Sequence, residues 1–212
     1  MLKVGLTGGI ASGKTVVGEM FVALGARLVQ ADRIAHSLMQ LGEPVYNEVV
    51  SHFGREILNP DRSINRSKLA ELAFGSAGLP EGNKASRIEE LNRIVHPVVI
   101  RRQDEWMEEM GRQGPNVVAI VEAALILEAG AADHFDCLIV VTCREEQRVA
   151  RFAARQKIEL ESARKEVARR MAAQLSDEEK IKAADVVIDN SGTLESTGQQ
   201  VEAAWKKLRG QA

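Results

Sequence analysis

Gly8-Gly9-Ile10-Ala11-Ser12-Gly13-Lys14-Thr15 fills every fixed position of the G-x-x-x-x-G-K-[ST] phosphate loop. Its flanks supply the context the loop needs: Val4-Gly5-Leu6-Thr7 reads as a short buried strand and Val16 to Leu24 as a helix. The loop therefore caps a helix N-terminus. Backbone N–H groups there have no partner within the helix and point outward, so a polyphosphate takes up several at once and the helix dipole favours its charge. A side chain at Gly8 or Gly13 would block that approach or forbid the backbone angles. Lys14 brings a point charge to the β- and γ-phosphates, and Thr15 a hydroxyl for Mg²⁺. A chance glycine turn would not place strand, loop and helix in this order.

The rest of the chain bounds what the loop can serve. At 212 residues it holds one sizeable α/β core plus a small subdomain, with 45% hydrophobic and 27% charged residues, the balance of an ordinary globular protein. A net charge of -2 offers no general attraction for nucleic acid or an anionic membrane. Met1-Leu2-Lys3 leads directly into the first strand, and no apolar run approaches the roughly 18 residues of a membrane span. A cytoplasmic protein is expected. Cys137 and Cys143, with only His134 close by in sequence, read as two buried reduced thiols.

Downstream of the first helix, which ends near Gly25, Ala26 to Ala31 reads as a second strand with Asp32 at its carboxyl end. Ligands gather at those ends in open parallel sheets, so Asp32 is expected on the same side as the loop. A helix over Arg33 to Leu41 stops at Gly42-Glu43-Pro44. From about 43 to 110 the patterns are helical, near Val45 to Phe53, Arg66 to Phe74 and Lys84 to Glu109, with breaks at Asn59-Pro60-Asp61 and at Gly75 to Gly82. His96-Pro97 is expected to interrupt the longest helix and aim the imidazole. Val117 to Val121, closed by Glu122, and Cys137 to Thr142 are apolar runs suited to strands covered on both faces, and Ala123 to Ala131 between them is expected to be helical. Val186 to Asp189 forms a last strand before Asn190-Ser191-Gly192, and Leu194 to Leu208 a closing helix.

Between the fourth and fifth strands, Arg144 to Ala184 is helical and rich in charge, with breaks near Ile158 to Ser162 and Leu175 to Asp177. Arg144, Arg148, Arg151 and Arg155 are spaced four, three and four, which puts them on one helical face. A solvated face would satisfy such a stripe. Beside a phosphate loop it also suits a lid that closes over ATP. A switch GTPase is excluded: Asn83-Lys84 is followed by Ser86 where a guanine-reading loop needs Asp, and no strand precedes it. A mechanical ATPase would need oligomer-forming parts for which the chain has little room.

Leu6 to Thr15, Ala31-Asp32, Phe53-Gly54 with Ile57 to Asp61, Leu91-Asn92 with His96-Pro97, and Ala184-Asp185 with Val187 to Asn190 together resemble dephospho-coenzyme A kinase, in order and approximate spacing. The resemblance implies a P-loop NTPase fold, a parallel sheet flanked by helices, in a single kinase domain. Its core would cover about 1-42, 111-143 and 184-212, a helical coenzyme A subdomain about 43-110, and a lid about 144-183. The implied reaction is transfer of a phosphoryl group from ATP to the 3′-hydroxyl of dephospho-coenzyme A, the last step of coenzyme A synthesis, with Mg²⁺. The implied partner is a small molecule rather than nucleic acid or membrane, and the protein a monomer or small homo-oligomer. Another small-molecule or nucleoside monophosphate kinase, or a non-catalytic ATP-dependent regulator, is the alternative.

On that reading, Gly9, Ile10, Ala11, Ser12, Gly13, Lys14, Thr15 and Val16 bind ATP, with Thr15 on the metal and Asn190 near the adenine. Asp32 would orient and deprotonate the ribose hydroxyl. Alternatively it only caps the helix that follows. Matching the family's R-x-x-x-R stretch selects Arg151 and Arg155 as the catalytic lid arginines beside Lys14. Arg93 and His96 would help seat dephospho-coenzyme A. The chain departs from the usual pattern at Gln30 and Glu122, where the family often has Asp, at Ala11, where it often has Gly, at Ala124, where it often has Pro, and at Arg155-Gln156, where it often has Arg-Asp.

Overall fold

The computed structural model describes residues 1–74 and 87–210, which form two compact units, 1–30 with 107–210 and 31–74 with 87–106. In chain order the elements are β1 (Leu2–Thr7), α1 (Lys14–Ala23), β2 (Arg27–Gln30), α2 (Ala31–Leu38), α3 (Pro44–Phe53), α4 (Arg66–Phe74) and α5 (Ile88–Gln113). Then come β3 (Val118–Glu122), β4 (Cys137–Thr142), α6 (Glu145–Gln156), α7 (Leu160–Ala172), α8 (Asp177–Lys182), β5 (Val186–Asp189) and α9 (Leu194–Arg209). Short 3-10 turns cover Arg55–Ile57 and Ala132–His134.

The first unit is built on a five-stranded sheet in the order β2-β3-β1-β4-β5, every pair parallel. Val118, Ile120, Ile139 and Val141 pack in one apolar cluster with Val17 and Phe21 of α1 and Val201, Ala204 and Leu208 of α9. Their neighbours Ala119, Val121, Leu138 and Val140 point to the opposite face by the pleat and are also buried. Both faces are therefore covered, as near-continuous apolar strands require. In register, Leu6 lies beside Glu122, Gln30 beside Glu122, and Thr142 beside Asp189, so the carboxyl ends of the strands finish along one edge. Cys137 and Cys143 are free and buried, and burial pushes both thiols up from their ordinary value.

The second unit is helical, with Leu38, Val45, Val49, Phe53, Ile57, Leu69, Val95 and Val99 as its core. An isolated antiparallel bridge between Leu58 and Ile64 is the extended pairing seen there among the described residues. The unit takes in α2 as well as α3 and α4.

Besides Ala31 and Asp32, which open α2 instead of closing the second strand, the structure differs from expectation in two places. No helix forms over Ala123 to Ala131: after one turn, closed by Ala129 N–H to the Leu125 carbonyl at 2.9 Å, Gly130 turns left-handed at φ 64°. Glu128 in that turn accepts from the fully buried Lys180 at 2.9 Å and from the Leu175 N–H at 3.1 Å, which pins the segment in an irregular path. The other difference is at Pro97, where α5 runs on without a break. Proline removes one ladder bond, but Val95 and Val99 on either side are buried in the core of the unit, and that packing outweighs the lost bond. The break expected from Gly75 to Gly82 and the helix start at Lys84 lie outside the described residues, as do Asn83 and Ser86.

Candidate active site

Between β1 and α1 the loop takes backbone angles that its sequence allows. Gly13 is the left-handed N-cap at φ 98°, and a Cβ there would lie 2.0 Å from Asn190 Nδ2. At Gly8, φ 150°, a Cβ would lie 2.2 Å from the Val141 carbonyl oxygen. The family's usual glycine is replaced by Ala11, which sits in the left-handed region at φ 53° with a methyl as its only side chain. Lys14 Nζ reaches back across the loop to the carbonyls of Gly8 at 2.8 Å and Gly9 at 3.1 Å. The ammonium thus lies over the concavity that its own loop forms.

One residue further on, Thr15 Oγ1 donates to Glu122 Oε1 at 2.8 Å, and Gln30 Nε2 donates to Glu122 Oε2 at 2.7 Å. Strand register creates this set: Gln30, Glu122 and Leu6 stand side by side as β2, β3 and β1 end. Glu122 is a carboxylate with both oxygens engaged, one of them on the hydroxyl expected to meet a metal. Among the described residues no group of three or more His, Cys, Asp or Glu could hold an ion by itself. A hydroxyl backed by one carboxylate suits an Mg²⁺ that arrives on a nucleotide and keeps most of its waters. The sequence alone marked Glu122 and Gln30 as departures from a pattern and missed their partnership. Two strands ending at one edge of a parallel sheet were the available signal.

Asn190, just past β5, is 3% exposed and clamps the loop. Its Nδ2 donates to the Ser12 carbonyl at 2.9 Å while its Oδ1 accepts from Thr197 Oγ1 at 3.0 Å. Arg151 joins the same carbonyl, with Nη1 donating to Ser12 O at 3.2 Å and Nη2 to Asn190 O at 3.0 Å.

The four arginines on and before α6 do not share one environment. Arg144 is the N-cap of α6 and exposed, Arg151 is half-buried, and Arg155 is exposed with its guanidinium 5.7 Å from the centre of the Phe152 ring. Arg148 is 1% exposed. Its Nε donates to the Cys143 carbonyl at 3.1 Å and its Nη2 pairs with Asp177. Helical spacing could not separate these roles, because burial depends on what packs against each turn. Ile10 of the loop packs in a cluster with Val149, Phe152 and Ala153 of α6 and Ala163 and Val167 of α7.

In the second unit, Asp32 is exposed in the first turn of α2, two residues after the end of β2. It lies inside the helix rather than at its N-cap, and among the described residues no hydrogen bond or ion pair engages its carboxylate. Arg93 is exposed on α5, and His96 is partly buried there, which lowers its pKa from the ordinary value. A groove of about 500 Å³ on this unit is lined by Asn47, Glu48, Ser51, His52 and Ile94.

Comparison with known proteins gives one consistent answer. The family model for dephospho-CoA kinase matches residues 2–196. The dephospho-CoA kinase of Geobacter metallireducens is 39% identical over 207 residues, covering 98% of this chain and 96% of that one. Among solved structures, dephospho-CoA kinase from Campylobacter jejuni aligns with 25% identity and a TM-score of 0.67 over 99% of this chain and 98% of that one. The crystal structure of TT1252 from Thermus thermophilus aligns with 29% identity and a TM-score of 0.73 over 98% and 97%.

Proposed function

We propose a division of labour for this chain, which belongs to the dephospho-CoA kinase family and phosphorylates dephospho-CoA at the expense of ATP in coenzyme A biosynthesis. The observation that carries it is the Lys14 ammonium held over a loop whose next residue, Thr15, is bonded to a strand-end carboxylate. Phosphoryl transfer asks the protein for positioning and charge stabilisation more than for covalent chemistry.

The amides from Gly9 to Val16 hold the β- and γ-phosphates, and Lys14 turns from the loop carbonyls to the phosphate oxygens. Thr15 supplies a hydroxyl to Mg²⁺, and Glu122, through that hydroxyl, orients it and balances the metal's charge. Mg²⁺, when bound there, would offset the negative charge of the β- and γ-phosphate oxygens. Asn190 and Arg151 fix the Ser12 carbonyl, so the loop amides keep their direction, and Asn190 lies near the adenine.

Asp32 takes the proton from the ribose 3′-hydroxyl as that oxygen bonds to the γ-phosphorus. The bond from the γ-phosphorus to the β–γ bridging oxygen breaks, and ADP leaves with that electron pair. The Asp32 carboxylate, exposed in the first turn of α2 and engaged by no partner among the described residues, supports this role. Arg155, exposed on α6, with Arg151, steadies the transferring charge. Residues 31–106 hold the acceptor, with Arg93 for its phosphates and His96 as a hydrogen-bonding group. The protein acts in the cytoplasm as a monomer or small homo-oligomer; separately, no helix among the described residues is long and apolar enough to cross a membrane.

The test is direct: protein, ATP, Mg²⁺ and dephospho-CoA, with ADP release followed against a panel of nucleoside and nucleotide acceptors and the product identified by mass. Coenzyme A formed only with dephospho-CoA is expected. Turnover with a nucleoside monophosphate instead would overturn the acceptor assignment.

A further inference from the structure

The geometry points to Arg148 as a positioning residue for ATP: a buried cation behind the phosphate loop whose charge acts on the polyphosphate through the Gly9 backbone. Arg148 is 1% exposed, and its Nη1 is buried without a hydrogen-bond acceptor among the described residues. The same Nη1 lies 2.0 Å from where a Cβ on Gly9 would stand. A side chain at Gly9 would have to displace the buried guanidinium, so glycine there permits the loop backbone and Arg148 to meet this closely.

A buried guanidinium is costly, and an apolar side chain of the same volume would fill a purely structural position at lower cost. Here two of its groups are satisfied, Nε by the Cys143 carbonyl and Nη2 by Asp177, while the third is left against the loop. Both anchors stand at the loop's periphery. Cys143 Sγ is itself 3.8 Å from the Ala11 carbonyl, and Asp177 Oδ1 is 3.4 Å from the same Gly9 Cβ position. Asp177, with 31% of its side chain exposed, opens α8 after the Ser176 capping box. The pair thus sets a positive and a negative charge side by side behind the loop. Arg148 attracts phosphate, and Asp177 moderates that attraction while it keeps the arginine in place.

This rests on the loop being the ATP site, and the experiment separates the two ideas. Binding of ATP, ADP and AMP is measured by calorimetry for the wild type and for Arg148→Met, Arg148→Lys and Asp177→Asn. Arg148→Met is expected to weaken ATP about tenfold, ADP less, and AMP hardly at all, since each phosphate lost removes part of the interaction. Arg148→Lys should recover more than half of the lost ATP affinity. Asp177→Asn keeps an acceptor but removes the opposing charge, and should tighten ATP by roughly two- to threefold. A bare structural strut predicts the opposite: both Arg148→Met and Asp177→Asn loosen all three nucleotides alike. That pattern, an unchanged ATP affinity in Arg148→Met, or an Asp177→Asn that binds ATP no tighter than wild type, overturns the inference. The last of these decides it even if Arg148→Met does not fold. A wild type that binds no ATP would instead sink the reading of the loop.

Discussion

Thr15 and Glu122 are 107 positions apart in sequence and share a 2.8 Å hydrogen bond, while Gln30 holds the other oxygen of the same carboxylate at 2.7 Å. A carboxylate accepting two such bonds keeps its direction. With an aspartate at position 30, two acids would face each other; the amide of Gln30 removes that repulsion.

Glu122→Gln should therefore act through the metal. The expected result is a kcat about tenfold lower at low Mg²⁺ that recovers partly at high Mg²⁺. Titrating turnover against Mg²⁺ checks it, and an unshifted Mg²⁺ dependence would remove Glu122 from metal support.

Lys14→Ala takes away the charge closest to the phosphates. Turnover is expected to fall about 10³-fold, on the order of 4 kcal/mol of transition-state stabilisation. Single-turnover rates at saturating ATP measure it.

Asp32→Asn keeps the shape of the side chain and loses its basicity. ATP and dephospho-CoA should both still bind, within about twofold of wild type, while kcat drops by about 10² to 10⁴. A near-normal kcat would show that another group takes the proton.

Asn190→Ala strips two partners at once. The Ser12 carbonyl loses one of its two donors, and the Thr197 hydroxyl keeps only the Thr193 carbonyl as an acceptor. Stability is expected to fall by about 1–3 kcal/mol, with weaker ATP binding. Urea unfolding with and without ATP separates the two effects.

Glu166 on α7 gives the chain a signature in acid. The Arg169 guanidinium, with Arg170 beside it, holds this carboxyl down from 4.5 to about 2, against the opposing effect of burial. Between those two values the unfolded chain binds more protons than the folded one. The contribution is therefore fully present above about 4.5 and is lost as the pH falls towards about 2. Glu166→Gln should lower the urea midpoint at pH 6 and flatten its decline between pH 5 and 3. Equal slopes for variant and wild type would assign the acid sensitivity elsewhere.

The loop and the strands along the chain were legible because each rests on local pattern: a fixed glycine spacing, apolar runs of strand length, and breaks at glycine and proline. The Glu122–Gln30 pairing was not, since it exists only once β2 and β3 lie in register. The unequal surroundings of the four arginines were hidden for a related reason. Helical spacing puts Arg144, Arg148, Arg151 and Arg155 on one stripe, but Arg144 stands outside the helix as its cap and Asp177 and the loop bury Arg148 alone. At Pro97 a local rule was overruled by the buried valines around it.

The seating of Ile10 among Val149, Phe152, Ala163 and Val167 bears on speed as well as on shape. A loop anchored by its own isoleucine has surrendered its freedom before any nucleotide arrives. Association then meets a ready-made cradle and need not wait for one to assemble. Trimming Ile10 to alanine would return that wandering to the loop, and the penalty would fall on the rate of capture before it touched the chemistry.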